Sequence, residues 1–187
     1  MTKQELENQA NAILSAAKAT VELQGDFPMT ILIHRSGEWR RLPFPEEAHV
    51  LLNDGSAKDQ IFGAVRQVVQ ELGIDGVVFA TDTWVGEATP EGVKHFDSPE
   101  WKELHDFGFV RLAQRGWVIR CEAFTITAQS ATDVLLIHQK YQRLTSGTVQ
   151  LLKGSRGWLG QSQFGGRQKM FGDLRWENLG SEAATKG

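Results

Sequence analysis

Gly73-Ile74-Asp75-Gly76-Val77-Val78-Phe79-Ala80-Thr81-Asp82-Thr83-Trp84 is the stretch that decides the fold. Gly73 closes an amphipathic run and can take the left-handed backbone that ends a helix. Val77 to Ala80 is apolar at every position, so a strand here carries apolar side chains on both faces. Such a strand is central to its sheet and needs cover on both sides. Its far end carries Asp82 and Trp84, a polar and aromatic pair beyond the apolar run.

Immediately upstream, Ile61, Phe62, Val65, Val68, Val69 and Leu72 recur at helical spacing, while Lys58, Gln60, Arg66, Gln67 and Gln70 fill the other positions. This predicts a helix over 56–72 with Ser56 as its N-cap. Nearer the N-terminus, Leu6, Ala10, Ile13, Leu14, Ala17 and Val21 form a second stripe. The spacing predicts a helix over 2–23, opened by a Thr2-x-x-Glu5 capping box and ended by Gly25 and Pro28. Met29 to His34 and Glu38 to Phe44 read as a hairpin around Ser36-Gly37, closed by Pro43 and Pro45. Ala48 to Leu52 reads as a short further strand.

Downstream, Val85 to Gly116 shows no strand pattern and is longer than an ordinary connection. We read it as an excursion from the sheet: a surface loop over Glu87 to Asp97, then a short helix starting at Ser98-Pro99-Glu100 and ended by Gly108. Trp101, Leu104 and His105 should face inward together. Trp117 to Gln129, Val134 to Arg143 and Thr148 to Leu152 then read as an antiparallel meander, with turns at Ser130 to Asp133 and Ser146-Gly147. From Gly154 the glycines should break any regular element.

The expected architecture is therefore α+β. A single mainly antiparallel sheet of about five or six strands carries the two long helices on one face. Residues 1–153 form the domain, with 85–116 inserted, and 154–187 form a glycine-rich basic and aromatic tail.

At 187 residues, 41% hydrophobic and 23% charged, the chain has the composition of a one-core globular protein. No window has the length of a membrane span, and Glu5, Glu7, Asn8, Asn11 and Lys18 interrupt the first stripe, so no signal peptide is expected. A cytoplasmic location without a membrane partner follows as the expectation. The one cysteine, Cys121, excludes an internal disulfide and a cysteine-based zinc site within one chain. Charge is uneven: from His138 to Trp176, Lys140, Arg143, Lys153, Arg156, Arg167, Lys169 and Arg175 face the single acid Asp173. The region before it carries the acidic excess.

The strand ending Thr81-Asp82-Thr83-Trp84, followed by one beginning Arg120-Cys121-Glu122-Ala123, resembles a set of small uncharacterised bacterial and phage proteins. In that set the central strand ends in a Ser/Thr-Glu-Ala-Trp-like tetrad and the next strand carries Arg-x-Glu. The resemblance spans roughly residues 29–139, and this chain differs in Asp82, in Thr83 and in a longer insertion before Arg120. It implies an α+β sheet with helices on one face, and no activity.

Asp82, Trp84, Arg120 and Glu122 are the candidate polar cluster, because neighbouring strands can gather them at one end of the sheet. Either Arg120 pairs with Asp82 or Glu122 while Trp84 caps the core, holding register without chemistry, or the group lines a pocket. His34 and His138 fall on strands, and His95 and His105 lie in the acidic excursion, but no His-x-x-x-His or His-Glu-x-x-His spacing makes them converge. Cys121 reads as a small buried apolar residue. Nucleotide-binding and nucleophile-elbow motifs are lacking, and no cofactor or metal is expected.

The tail offers Arg156, Trp158, Arg167, Lys169, Phe171 and Arg175 as a candidate binding surface. These side chains suit phosphates and stacked bases, or they dock on the acidic body of the same or a second chain. The expected function is a non-catalytic protein-binding or assembly module with a protein partner or a homo-oligomer. The alternatives are a nucleic-acid-associated protein using the tail and an enzyme with a pocket around Asp82, Arg120 and Glu122.

Overall fold

A computed structural model of the chain describes residues 1–43, 55–106 and 109–159. Two long helices, α1 (Lys3–Gln24) and α2 (Gly55–Glu71), frame an antiparallel sheet of strands β1 (Thr30–Arg35), β2 (Glu38–Leu42), β3 (Gly76–Ala88), β4 (Val118–Ser130), β5 (Val134–Arg143), β6 (Val149–Leu151) and β7 (Ser155–Leu159). The order is β2-β1-β3-β4-β5-β6, with β7 also on β5. This is the α+β class expected. The strand proposed for Ala48 to Leu52 lies outside the described residues, as do Phe44 and Gly108.

The caps of α1 form as the sequence predicts, whereas α2 begins at Gly55 and so takes in Ser56, the expected N-cap, as a helical residue. Glu5 N–H donates to Thr2 Oγ1 while Thr2 N–H donates to Glu5 Oε2, closing the capping box at the start of α1. Gly25 ends α1 in the left-handed region at φ 86°. Ser36 and Gly37 both have positive φ, the primed turn that matches the twist of a two-residue hairpin.

The long helices do not share a face, which corrects the expected layering. Leu6, Ala10, Ala17 and Val21 of α1 are fully buried against Val78 and Ala80 of β3, Phe124, Ile126 and Ala128 of β4, and Leu135 and Ile137 of β5. Val65 and Val69 of α2 pack with Ile31, Ile33, Ile74, Val77 and Phe79. Alternate residues of β3 thus meet different helices, which is what a strand apolar on both faces requires. Phe124, fully buried in the α1 layer, would cost about 3–5 kcal/mol to truncate to alanine.

β3 does not end at Trp84. It continues to Ala88, paired residue for residue with Val118 to Glu122 of β4. Backbone pairing extends the strand through Val85-Gly86-Glu87, where side chains alone give no period. The excursion is correspondingly shorter and more helical than expected: α3 (Pro90–His95), α4 (Pro99–Asp106) and α5 (Phe109–Gln114) follow one another. α3 replaces the surface loop and starts at Thr89-Pro90-Glu91, the same chemistry as Ser98-Pro99-Glu100, with Thr89 Oγ1 accepting from Gly92 N–H. Trp101, Leu112, Trp117 and Val118 form its small core with Leu104 alongside. His105, expected to face inward, is exposed.

Gly154 does not end the sheet either. Ser155 to Leu159 pairs with Val134 to His138 as β7, and the break between β6 and β7 is held by Gln139, whose Nε2 donates to the Leu152 carbonyl at 2.5 Å. The remaining tail, 160–187, lies outside the described residues.

Candidate functional site

The four residues chosen from the sequence meet at one end of the α1 face. In the β3–β4 register Asp82 opposes Phe124, Trp84 opposes Glu122 and Gly86 opposes Arg120. Successive pairs two residues apart share a face, so Asp82, Trp84, Arg120 and Glu122 all stand on the side of the sheet that α1 covers further along. Their partners differ from the expected Arg120 ion pair. Arg120 stacks its guanidinium over the Trp84 ring at 4.6 Å, a cation–π contact.

Two residues of β5 that the sequence did not single out organise the carboxylates. Tyr141 Oη lies 2.7 Å from both Asp82 carboxylate oxygens, so its one proton is shared between them. Arg143 donates from Nη2 to Tyr141 Oη at 3.2 Å and from Nε to Glu122 Oε1 at 3.1 Å, and its Nη2 lies 4.0 Å from Asp82. Tyr141 itself is buried. The left-handed cap of α1 also belongs to this corner, since a Cβ at Gly25 would stand 3.1 Å from Arg143 Nη1.

Burial raises the Asp82 carboxyl above its ordinary value, and the charge of Glu122 adds to this. The Tyr141 hydrogen bond and the Arg143 charge pull the other way without cancelling it. Burial and the bond to Asp82 push the Tyr141 phenol well above its usual range. The phenol is therefore a fixed donor at any physiological pH. Both carboxylates are thus paired with side chains of β5.

Trp84 is different, for it is 52% exposed although it lies within a strand. The last β1–β3 pair is Thr30 with Ala80. Past it, among the described residues, β3 is paired on the β4 side alone. Trp84 therefore sits on an open strand edge with Arg120 stacked on it.

The tail residues divide. Arg156 Nη2 donates to Glu7 Oε1 on α1 at 2.5 Å, and Lys3 Nζ lies 4.3 Å from the Trp158 ring centre. Both residues are thus engaged with the first helix of the same chain. Arg167, Lys169, Phe171 and Arg175 lie outside the described residues.

The histidines are dispersed. His34 Nδ1 bonds Asp75 and its ring lies against Trp39. His95 stacks on Trp117 at 4.3 Å. His138 stands on the opposite face of the sheet from Asp82, with Nδ1 buried and without a hydrogen-bond partner. Cys121 is half-buried on that same face. Among the described residues no three of His, Cys, Asp and Glu gather as a metal site would require, and no helix is long and apolar enough to cross a membrane.

The chain matches no family model, no curated protein and no solved structure.

Proposed function

We propose that the chain is a non-catalytic binding module that engages a protein partner, or a second copy of itself, through the open edge of β3 around Trp84. The observation that carries this is the half-exposed Trp84 with Arg120 laid over it. Tryptophan and arginine are the side chains that dominate binding energy at interfaces, and a pair already stacked loses less conformational freedom on docking. The edge beside it, unpaired among the described residues, offers backbone groups to an extended partner segment.

The internal pairing of Asp82 with Tyr141 and of Glu122 with Arg143 weighs against an enzyme built on these carboxylates. A nucleic-acid role for the tail has to do without Arg156 and Trp158, which α1 already holds.

The test compares the full chain with Trp84→Ala by sedimentation velocity across a range of concentrations and by affinity capture, after circular dichroism has established equal folding. Self-association, or a retained protein, that Trp84→Ala loses at least tenfold supports the proposal. A monomer at every concentration whose captured proteins are the same with and without Trp84 overturns it.

A further inference from the structure

A cavity of about 380 Å³ opens on the face of the sheet away from the Asp82 corner, within the size range of small-molecule sites. The register builds it. Thr125, His138 and Ser155 form one row across β4, β5 and β7, and Thr83, Ala123 and Lys140 form the next across β3, β4 and β5. The cavity lies over these rows and along β3 from Thr83 to Glu87. Lys140 reaches from β5 to β3 above β4 and donates to Glu87 Oε1 at 2.6 Å, walling one side.

The polar groups around this hollow are unspent. Among the described residues the hydroxyls of Thr83, Thr125 and Ser155 have no hydrogen-bond partner; His138 lines the hollow too, although its unpartnered Nδ1 is itself fully buried.

We propose that this cavity binds a small uncharged polyol, of monosaccharide size, through Thr83, Thr125, Ser155, His138 and the Lys140–Glu87 pair. Charge selects against ions. The ammonium and carboxylate neutralise one another at 2.6 Å, and burial holds the imidazole in its neutral form. An anion would have to pull Lys140 from Glu87, and a cation the reverse. The hydrogen-bonding inventory selects for hydroxyls. Lys140 only donates, Glu87 only accepts, and the three hydroxyls do both. Adjacent ligand hydroxyls, one accepting from Lys140 and one donating to Glu87, match that wall.

The experiment is an NMR titration of the full chain with glucose, galactose, N-acetylglucosamine and myo-inositol, and with inorganic phosphate as the charged comparison. Saturable shifts from at least one polyol are expected in the Thr83, Thr125 and Ser155 amides and the His138 ring. Thr125→Val, which keeps the shape and removes the hydroxyl, should weaken binding at least tenfold while the remaining amide spectrum stays native. Should that variant misfold, Ser155→Ala on the exposed edge strand serves the same purpose. Absence of saturable shifts with all four polyols, binding indifferent to the substitution, or tighter binding of phosphate at these residues would each overturn the proposal.

Discussion

The phenolic oxygen of Tyr141 on β5 lies 2.7 Å from both carboxylate oxygens of Asp82 on β3, reaching across the full width of β4. The bond ties two strands that do not touch and gives a half-buried carboxylate its principal donor. Tyr141→Phe keeps the buried ring and removes only that donor. Hydrogen bonds to charged groups contribute about 1.5–3 kcal/mol, and a loss of this size is expected in urea unfolding at neutral pH. The Asp82 carboxyl, already raised, should rise further, which carboxyl-carbon NMR would follow. An unchanged unfolding midpoint would mean that water replaces the phenol at no cost.

How much of this corner was legible in the sequence depends on the connections. β4 and β5 are joined by the short Ser130 to Asp133 turn, and counting outward from it puts Glu122 opposite Tyr141. Tyr141 and Arg143 could have been found that way. The β3–β4 register could not, because the excursion separates the two strands and no turn fixes their alignment. The same distinction explains α2. Val77 to Ala80 announced a strand covered on both faces, so helices on opposite sides were implied by the residues even where the expected layering placed them together. α3 carries a start signal at Thr89-Pro90-Glu91, but the whole helix is six residues long, too short to show a period. β7 was hidden by Gly154 and Gly157, whose effect on a strand is outweighed by the neighbouring β5 edge.

Asp82 and Asp75 should make opposite contributions to pH dependence. Asp82 is raised above 3.8, so the folded state holds its proton more tightly than the unfolded chain. Its stabilising contribution is complete below that value and is lost as pH rises through the folded pKa. For Asp75, burial pushes upward, but the His34 and N-terminal hydrogen bonds prevail and the net shift is downward from 3.8. Its contribution is present above 3.8 and is lost as pH falls through the folded pKa. Asp82→Asn, which keeps an acceptor for Tyr141 and removes the buried charge, should therefore hold or raise the melting temperature at pH 7. It should also flatten the stability profile on the acid side of neutrality. A lower melting temperature at pH 7 with the same profile would show that the Arg143 attraction outweighs burial.

Ending the chain after Lys153 should destabilise the domain, not merely remove a tail. β7 pairs with five residues of β5, and Arg156 and Trp158 clasp α1. At about 1 kcal/mol for each ladder hydrogen bond, a loss of a few kcal/mol is expected in urea unfolding, whereas a chain ending after Leu159 keeps these contacts. The comparison also frames any nucleic-acid experiment. Salt-dependent binding to a single-stranded oligonucleotide that vanishes on cutting after Leu159 belongs to 160–187, while loss only on cutting after Lys153 reports damage to the sheet. Equal stability of the two truncated chains would remove β7 from the fold's energetics.

Gly92 is the point where the excursion is fastened to the start of β4. A Cβ there would lie 2.0 Å from the Trp117 carbonyl oxygen and 2.8 Å from its carbon, both backbone atoms. That carbonyl cannot recede freely, since it accepts from Thr89 N–H at 2.9 Å, and Thr89 Oγ1 in turn donates to the Gly116 carbonyl at 2.8 Å. Gly92→Ala must therefore push α3 away from the start of β4, break the Thr89 bond and open the His95–Trp117 stack. Overpacking of this kind costs about 1–3 kcal/mol and more where backbone has to move. A red-shifted tryptophan emission and faster hydrogen exchange at Thr89 and Trp117 are expected, with β1, β2 and α1 unaffected. Val93→Ala is the matched control, because Val93 is 62% exposed one residue along and should change stability by less than about 0.5 kcal/mol. If both substitutions leave emission and exchange at their native values, the close approach of α3 to Trp117 is not what secures the excursion.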